Sequence, residues 1–215
     1  MGKPHSQSFS KAQTEIGIRN TVEKYVPMDE VTRNSLRHAL KEAGVKPPLL
    51  EDLETKAMGK YNELEVFPDA ARFFHQLPAI SANLKHRGID IEYLIFSNGT
   101  PNMVEAAISN SDLLSATFGK KRYISVDAIK VFKPSPKTYK YVLEKLGKDT
   151  GKDVFLVSGN PFDITGAKNA GLGTIWVNRS VNGQGWVDTL LGEEGKGPEH
   201  VLKGLDDLES VFDKI

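Results

Sequence analysis

The sequence contains no cysteine, no excess of either charge and no long apolar run, and each absence excludes a class of protein. Without cysteine, the chain has no disulfide, no thiolate metal ligand and no cysteine nucleophile. Lys+Arg and Asp+Glu both number 28, so the sequence does not predict the basic surface of a nucleic-acid-binding protein. The longest uninterrupted apolar runs have four residues, whereas a helix needs about 20 to span a bilayer. We therefore expect a cytoplasmic protein with no nucleic-acid or membrane partner.

The 215 residues suit one domain, or a core domain with a small appended one. Residues 1–10 are polar and without periodicity, which predicts a disordered start. Apolar residues at helical spacing predict three helices within residues 11–64, which would form a small helical module. In residues 65–215 strand and helix patterns alternate, which predicts an α/β core with a parallel sheet covered by helices on both faces. The glycine-rich stretch 179–199, with Trp186, predicts a long surface loop, with a lid as the alternative.

Small polar or charged residues follow three of the predicted strands or lie in the loops behind them. Ligands of open α/β sheets bind at the carboxyl ends of the strands, so these residues are candidates for a binding site. The alternative is a purely structural role, in which each of these residues only forms a turn, a helix cap or a solvated loop. The residues are Ser97, Asn98, Lys133, Ser158, Asn160 and Asp163.

Taken together in this order, these groups resemble the motifs of the haloacid dehalogenase superfamily, specifically of its 2-haloacid dehalogenase branch. The resemblance rests on Ser97-Asn98-Gly99, on Lys133 with Pro134 and Tyr139, and on Ser158-Gly159-Asn160 with Asp163. It covers residues 65–179 closely and the helices before them loosely. It implies a Rossmann-like α/β core (residues 65–215) with a helical cap (residues 11–64).

The resemblance also implies roles for these residues. Lys133 and Asp163 would be catalytic, because Lys133 would stabilise developing charge and Asp163 would orient Lys133 or activate water. The remaining residues would bind substrate or support that network; they are Ser97, Asn98, Tyr139, Ser158 and Asn160. The predicted partner is a small acidic organic molecule, and a homodimer is left open.

Some members of this superfamily bind a metal ion. Its phosphatase members place a second acid in the fourth motif, so that two carboxylates bind magnesium. In this sequence that place reads Gly159-Asn160, which leaves Asp163 as the single acid. We therefore predict no metal and no cofactor.

The first motif of the superfamily, Asp-x-x-Gly-Thr at the end of a central strand, does not occur in the sequence. In the superfamily its aspartate attacks the substrate and forms an ester that water cleaves. Asp127 is assigned to the scaffold and Asp69 to a helix cap, so neither replaces it. The missing strand would lie between the strands ending at Ser97 and Ser158. These two strands would pair directly, a partner chain would supply a strand, or the sequence is a shortened form of a longer protein.

Three functions remain open after these observations. The preferred hypothesis is a protein without hydrolase activity that binds a small acidic molecule or catalyses a non-hydrolytic step, because the nucleophile is missing. The first alternative is a truncated or divergent 2-haloacid dehalogenase that releases halide. The second alternative is a structural or interaction pseudoenzyme.

Overall fold

The structure of the chain is a computed structural model. It describes residues 4–61, 63–119, 122–180, 184–187 and 197–212. Most of the stretch predicted to form a loop or lid, residues 181–183 and 188–196, lies outside these ranges.

The chain divides into two compact units. The first unit consists of Met1–Glu65 and Ile95–Phe132, and the second of Val66–Leu94 and Lys133–Ile215. These units do not coincide with the predicted cap and core, since the first unit also takes in residues 95–132. The division into a cap and a core near residue 65 stays a prediction.

Helices and strands alternate from the middle of the chain onwards, as the sequence predicts. In chain order the elements are α1 (Pro4–Val22), α2 (Met28–Glu42), α3 (Leu49–Tyr61), α4 (Pro68–His86), β1 (Ile95–Ser97), α5 (Pro101–Ser109), α6 (Asp112–Phe118), β2 (Tyr123–Ser125), α7 (Pro136–Leu146), β3 (Phe155–Ser158), α8 (Pro161–Asn169), β4 (Gly173–Val177), β5 (His200–Leu202) and α9 (Glu209–Phe212). Short 3-10 helices occupy Val126–Ile129 and Leu205–Asp207.

All strand pairs in the described part of the chain are parallel, which confirms the predicted α/β class. In the first unit β1 pairs with β2, and Ser97 lies opposite Ser125. In the second unit the strand order is β3-β4-β5. Among these strands β1 and β3 do not pair with each other, so the direct pairing considered above is not seen. Both are therefore edge strands of their sheets.

The first strand is shorter than the sequence predicts. The apolar run from residue 91 to 97 predicts one strand, but only Ile95–Ser97 is extended and paired. Ile91 and Tyr93 instead pack against the core of the second unit. An apolar run identifies residues that are buried, but it does not say against which partner they are buried.

The prediction that residues 1–10 are disordered is wrong for residues 4–10, because α1 begins at Pro4. Proline suits the first turn of a helix, since its missing N–H would have no partner there. No glycine or further proline follows before residue 17 to interrupt the helix. Polar composition alone was therefore a poor indicator of disorder at this end.

Each unit has its own apolar core. In the first unit it is formed by Ile16, Val31, Val126 and Phe132. In the second unit one face of α4 packs on the sheet and on the last helical turns; this core comprises Phe73, Leu77, Ile80, Leu84, Ile175, Leu202, Leu208 and Val211. The α4 residues recur at three- and four-residue intervals, which places them on one side of the helix. Within the described residues, no helix has both the length and the apolar character needed to cross a bilayer.

Candidate active site

A buried ion pair joins two of the residues that the sequence singled out. The Lys133 Nζ donates a hydrogen bond to Asp163 Oδ2 at 2.9 Å. Their side chains are only 8% and 6% exposed. Among the described residues, few charged side chains are buried to this degree. Removing two charges from water is costly, so such a pair needs close geometry and further hydrogen bonds to be stable.

Tyr139 supplies one of these further hydrogen bonds. Its hydroxyl donates to Asp163 Oδ1 at 2.8 Å, so both carboxylate oxygens of Asp163 accept hydrogen bonds. The pKa of Tyr139 is raised above its ordinary value, first by burial and then by the charge of Asp163 and their hydrogen bond. The hydroxyl therefore stays protonated and acts as a donor. The three groups form an arrangement in which Asp163 holds the buried ammonium and Tyr139 holds Asp163.

Prolines at the starts of α7 and α8 help to determine where the Tyr139 and Asp163 side chains lie. Pro161 starts α8 directly after the loop that follows β3, so Asp163 lies in the first helical turn. A carboxylate in the first turn interacts favourably with the helix dipole. Pro136 starts α7, and Tyr139 lies at the beginning of that helix. The two helix starts thus bring Tyr139 and Asp163 to the same end of the second unit's sheet.

Gly166, within α8, allows Tyr139 to approach so closely. A Cβ atom on Gly166 would lie 2.5 Å from the Tyr139 hydroxyl oxygen and 2.8 Å from Pro134 Cβ. Side-chain atoms do not tolerate such distances, so any larger residue would push α7 away. Gly166 is not among the residues predicted for the site, although a glycine inside a helical pattern often indicates a close approach.

The loop after β1 is organised as a turn followed by a helix cap. The Ser97 Oγ accepts the N–H of Gly99 at 2.9 Å, and the Thr100 hydroxyl caps α5 by accepting the N–H of Met103. The Ser125 hydroxyl donates to the Gly99 carbonyl at 2.6 Å. Ser97 thus forms a turn, which is the alternative to a binding role that the sequence left open. A substrate-binding role for Ser97 or for the half-buried Asn98 stays a prediction.

The loop after β3 shows the same kind of turn. The Ser158 hydroxyl accepts the N–H of Asn160 at 3.1 Å. Asn160 precedes α8 and is exposed, without a side-chain cap bond. The Trp176 indole N–H donates to the Gly159 carbonyl at 3.3 Å, which ties this loop to β4. Ser158 and Asn160 therefore lie close in sequence to Asp163, and their roles stay predictions.

The structure brings Lys133, Tyr139 and Asp163 into direct contact, all within the second unit. Ser97 and Asn98 belong to the first unit. In the described ranges, no three His, Asp or Glu side chains are grouped as a metal site would require. That observation does not test the prediction of no metal and no cofactor, which stays a prediction.

Two other acids have structural contacts. Asp127 accepts the Tyr25 hydroxyl at 2.6 Å and pairs with Lys130 at 3.0 Å, as expected for a scaffold residue. Asp69 lies in the first turn of α4, but it does not cap that helix. Its carboxylate accepts three hydrogen bonds from Nε and Nη2 of the Arg179 guanidinium, Nε being shared by both oxygens, and one from the N–H of Leu205.

These contacts make stability depend on the ionised form of Asp69. The Arg179 hydrogen bonds, helped by the N–H of Leu205, lower the pKa of Asp69 to about 2. The unfolded chain therefore binds this proton more readily, so the stabilisation is complete above about pH 5 and is lost as pH falls towards 2. We expect Asp69→Asn to lower the free energy of unfolding by about 1–2 kcal/mol at pH 7. The difference from the native chain should shrink in urea titrations at pH 3.

Asp206→Asn is the control for this prediction. Asp206 pairs with Arg72 at 2.7 Å, but the Arg72 side chain is 60% exposed. An exposed pair contributes about 0.5 kcal/mol or less, so this variant should differ little from the native chain at either pH. An Asp69→Asn effect that is equally large at pH 7 and pH 3 would contradict the role given to the ionised carboxylate.

The structure thus shows an α/β protein with a buried ion pair whose carboxylate lies in the helix that follows the carboxyl end of β3. Residues 1–171 match the family of haloacid dehalogenase-like hydrolases, and the chain belongs to this family.

Within this family, the chain is similar to (S)-2-haloacid dehalogenases. An (S)-2-haloacid dehalogenase of Xanthobacter autotrophicus is 36% identical over 179 residues, which cover 83% of this chain and 64% of that protein. An (S)-2-haloacid dehalogenase of Pseudomonas sp. (strain YL) is 28% identical over 198 residues, which cover 91% of this chain and 75% of that protein. The chain thus spans somewhat less than two thirds of the Xanthobacter protein.

Solved structures agree with these relatives. The structure of L-2-haloacid dehalogenase from Xanthobacter autotrophicus matches with a TM-score of 0.79 and 28% identity, over 99% of this chain and 86% of that one. The structure of that enzyme with chloropropionic acid covalently bound matches with a TM-score of 0.78 and 28% identity, again over 99% and 86% of the two chains.

Proposed function

We propose that the chain is a divergent 2-haloacid dehalogenase in which a buried ammonium stabilises the negative charge that develops during the reaction. The observation that carries this proposal is the buried Lys133 ammonium, held by Asp163 and supported by Tyr139. Membership of the hydrolase family and similarity to (S)-2-haloacid dehalogenases support it. The reaction would replace the halogen on carbon 2 of a small carboxylic acid by a hydroxyl from water, and would release halide and a proton.

Such a reaction needs positive charge in two places. The substrate is an anion, and the leaving halogen takes up a full negative charge as its bond to carbon breaks. A buried cation stabilises developing charge far better than a solvated one, because it needs no reorganisation and is not screened by water. Asp163 and Tyr139 would hold Lys133 in place. Ser97, Asn98, Ser158 and Asn160 would bind the substrate carboxylate or the halide.

A second candidate function is the binding of a small carboxylate without hydrolysis. It is favoured by one observation, namely that the 215 residues contain no Asp-x-x-Gly-Thr motif. The relatives favour the dehalogenase over this candidate and over a pseudoenzyme. The preference for a non-hydrolytic protein that the sequence suggested is therefore reversed here.

Halide release tests the proposal. The chain should release chloride from (S)-2-chloropropionate, measured by ion chromatography, and the (R) enantiomer serves as the control substrate. Lys133→Met should reduce the rate about 100- to 1,000-fold, as removal of a charge-stabilising donor does elsewhere. Lys130→Met is the matched control, since Lys130 is 58% exposed, and it should keep the native rate.

Absence of chloride release above the buffer rate from either enantiomer would contradict the dehalogenase proposal. The second candidate then predicts that 2-chloropropionate or lactate raises the melting temperature of the native chain, and that Lys133→Met removes this shift. If neither turnover nor a shift is observed, both functions are excluded.

A further inference from the structure

We infer that Asn20, in α1, is a positioning residue that fixes the backbone directly before Lys133. The Asn20 Nδ2 donates to the carbonyl of Phe132 at 2.9 Å. The N–H of Phe132 donates back to Asn20 Oδ1 at 3.0 Å. One side-chain amide thus satisfies both backbone polar groups of a residue that lies 112 positions later in the chain.

The pairing depends on the chemistry of asparagine. An amide offers a donor and an acceptor at fixed spacing, which matches the N–H and C=O of one residue. Aspartate of the same shape could accept from the N–H but could not donate to the carbonyl. Alanine would leave both backbone groups without the Asn20 contacts. The two hydrogen bonds are therefore specific to this residue type.

The side chain of Phe132 is held as firmly as its backbone. It is fully buried, and its ring lies 4.8 Å from that of Tyr25. It belongs to the core of the first unit together with Ile16, Val31 and Val126. Phe132 is thus fixed through its ring, its N–H and its carbonyl at once.

Lys133 is joined to this fixed residue by a peptide bond. The Asn20 contacts therefore define the point from which the Lys133 side chain starts, and Asp163 defines where its ammonium ends. Without Asn20, the backbone at residue 132 can move to find other hydrogen-bond partners. The buried position of the ammonium should then be occupied for less of the time. A contribution of Asn20 to catalysis rests on the proposed function, but its effect on Lys133 does not.

The reactivity of Lys133 tests this inference. Acetic anhydride at limiting concentration acetylates accessible amines, and peptide mass spectrometry measures the rate at each lysine. Lys133 is 8% exposed and should react slowly in the native chain, whereas Lys140 is 80% exposed and serves as the internal standard. Asn20→Ala should raise the Lys133 rate about tenfold relative to Lys140, as expected from the loss of a buried hydrogen bond.

Two further variants separate positioning from general loss of stability. Asn20→Asp keeps the size of the side chain, but it replaces the donor by a charged acceptor that repels the Phe132 carbonyl, so it should also raise the Lys133 rate. Thr21→Ala is the matched control, because Thr21 is exposed and bonds only the Gly17 carbonyl in the same helix. It should leave Lys133 at the native rate. Amide exchange in α4 should stay slow in all three variants, which verifies that the second unit remains folded.

Failure of the inference and failure of the proposed function give different results. If Asn20→Ala and Asn20→Asp stay folded and Lys133 keeps its native reactivity in both, Asn20 does not position Lys133. If the native chain releases no halide, the dehalogenase proposal fails and the lysine rates still decide the role of Asn20. Where halide is released, Asn20→Ala should lower kcat about tenfold and change KM less than twofold, as for a group that acts in the transition state.

Discussion

Asp163→Ala is expected to lower the free energy of unfolding by about 3–5 kcal/mol at pH 7. The Lys133 ammonium would then remain buried without the carboxylate that it contacts at 2.9 Å. The Tyr139 hydroxyl would lose its carboxylate acceptor at the same time and keep only the longer contact, 3.2 Å, to the backbone carbonyl of residue 163 among the two bonds to this residue. Urea denaturation followed by circular dichroism would measure the change. An effect of this size would be a large part of the stability of an ordinary domain, which is about 5–15 kcal/mol.

Two controls separate the buried pair from ion pairing in general. Asp52→Ala removes a contact of similar length, 2.8 Å to Lys56, but these side chains are 52% and 71% exposed. This variant should change stability by about 0.5 kcal/mol or less. The double variant Lys133→Met with Asp163→Leu removes both charges and should recover most of the loss, because apolar residues can replace a buried pair. Equal losses for Asp163→Ala and Asp52→Ala would show that the buried pair has no special importance.

Gly166→Ala is expected to destabilise the chain by about 3 kcal/mol, although alanine is the better helix former. The added methyl group would overlap the Tyr139 hydroxyl and Pro134 at the distances given above, so α7 and α8 would have to separate. That movement would also lengthen the hydrogen bond from Tyr139 to Asp163. Thermal and urea denaturation would measure the loss of stability.

Gly17→Ala is the matched control for this prediction. Gly17 also lies inside a helix, α1, but a Cβ there would have no atom within 4 Å. Helix propensity alone then applies, so this variant should be about 0.5–1 kcal/mol more stable than the native chain. Tyr139→Phe combined with Gly166→Ala should recover part of the loss by removing the closest atom. If both glycine variants were stabilised alike, the close packing of α7 on α8 would be disproved.

Continuous apolar runs predicted the strands best where the strand is buried on both sides. The run at residues 173–178 predicted β4 almost to the residue, and Gly173–Val177 are all buried. The run at residues 91–97 predicted too long a strand, because its first half packs elsewhere. Local sequence fixes the tendency to be buried, whereas strand ends depend on which neighbour offers hydrogen bonds.

The candidate site was predictable only in part, and for a related reason. Lys133 and Asp163 could be paired beforehand because the order of motifs resembles a known family. Asn20 could not, since asparagine carries no special signal in its helix, and Gly166 was recognisable only as a glycine inside a helical pattern, without its partner. Their importance comes from Phe132 and Tyr139, which are distant in sequence and close only in the folded chain. Of the functional hypotheses, the first alternative, a divergent 2-haloacid dehalogenase, is better supported than the preferred one, because the sequence beyond the missing motif is similar to such enzymes.

The edge position of β3 has a consequence for the behaviour of the chain in solution. Val157 in this strand is 37% exposed, and an apolar edge strand presents backbone N–H and C=O groups to any other extended chain. Long-range repulsion between molecules is weak as well, because positive and negative side chains balance at neutral pH. Colloidal stability should therefore be lowest near pH 7, and dilute solutions away from neutrality should favour separate chains.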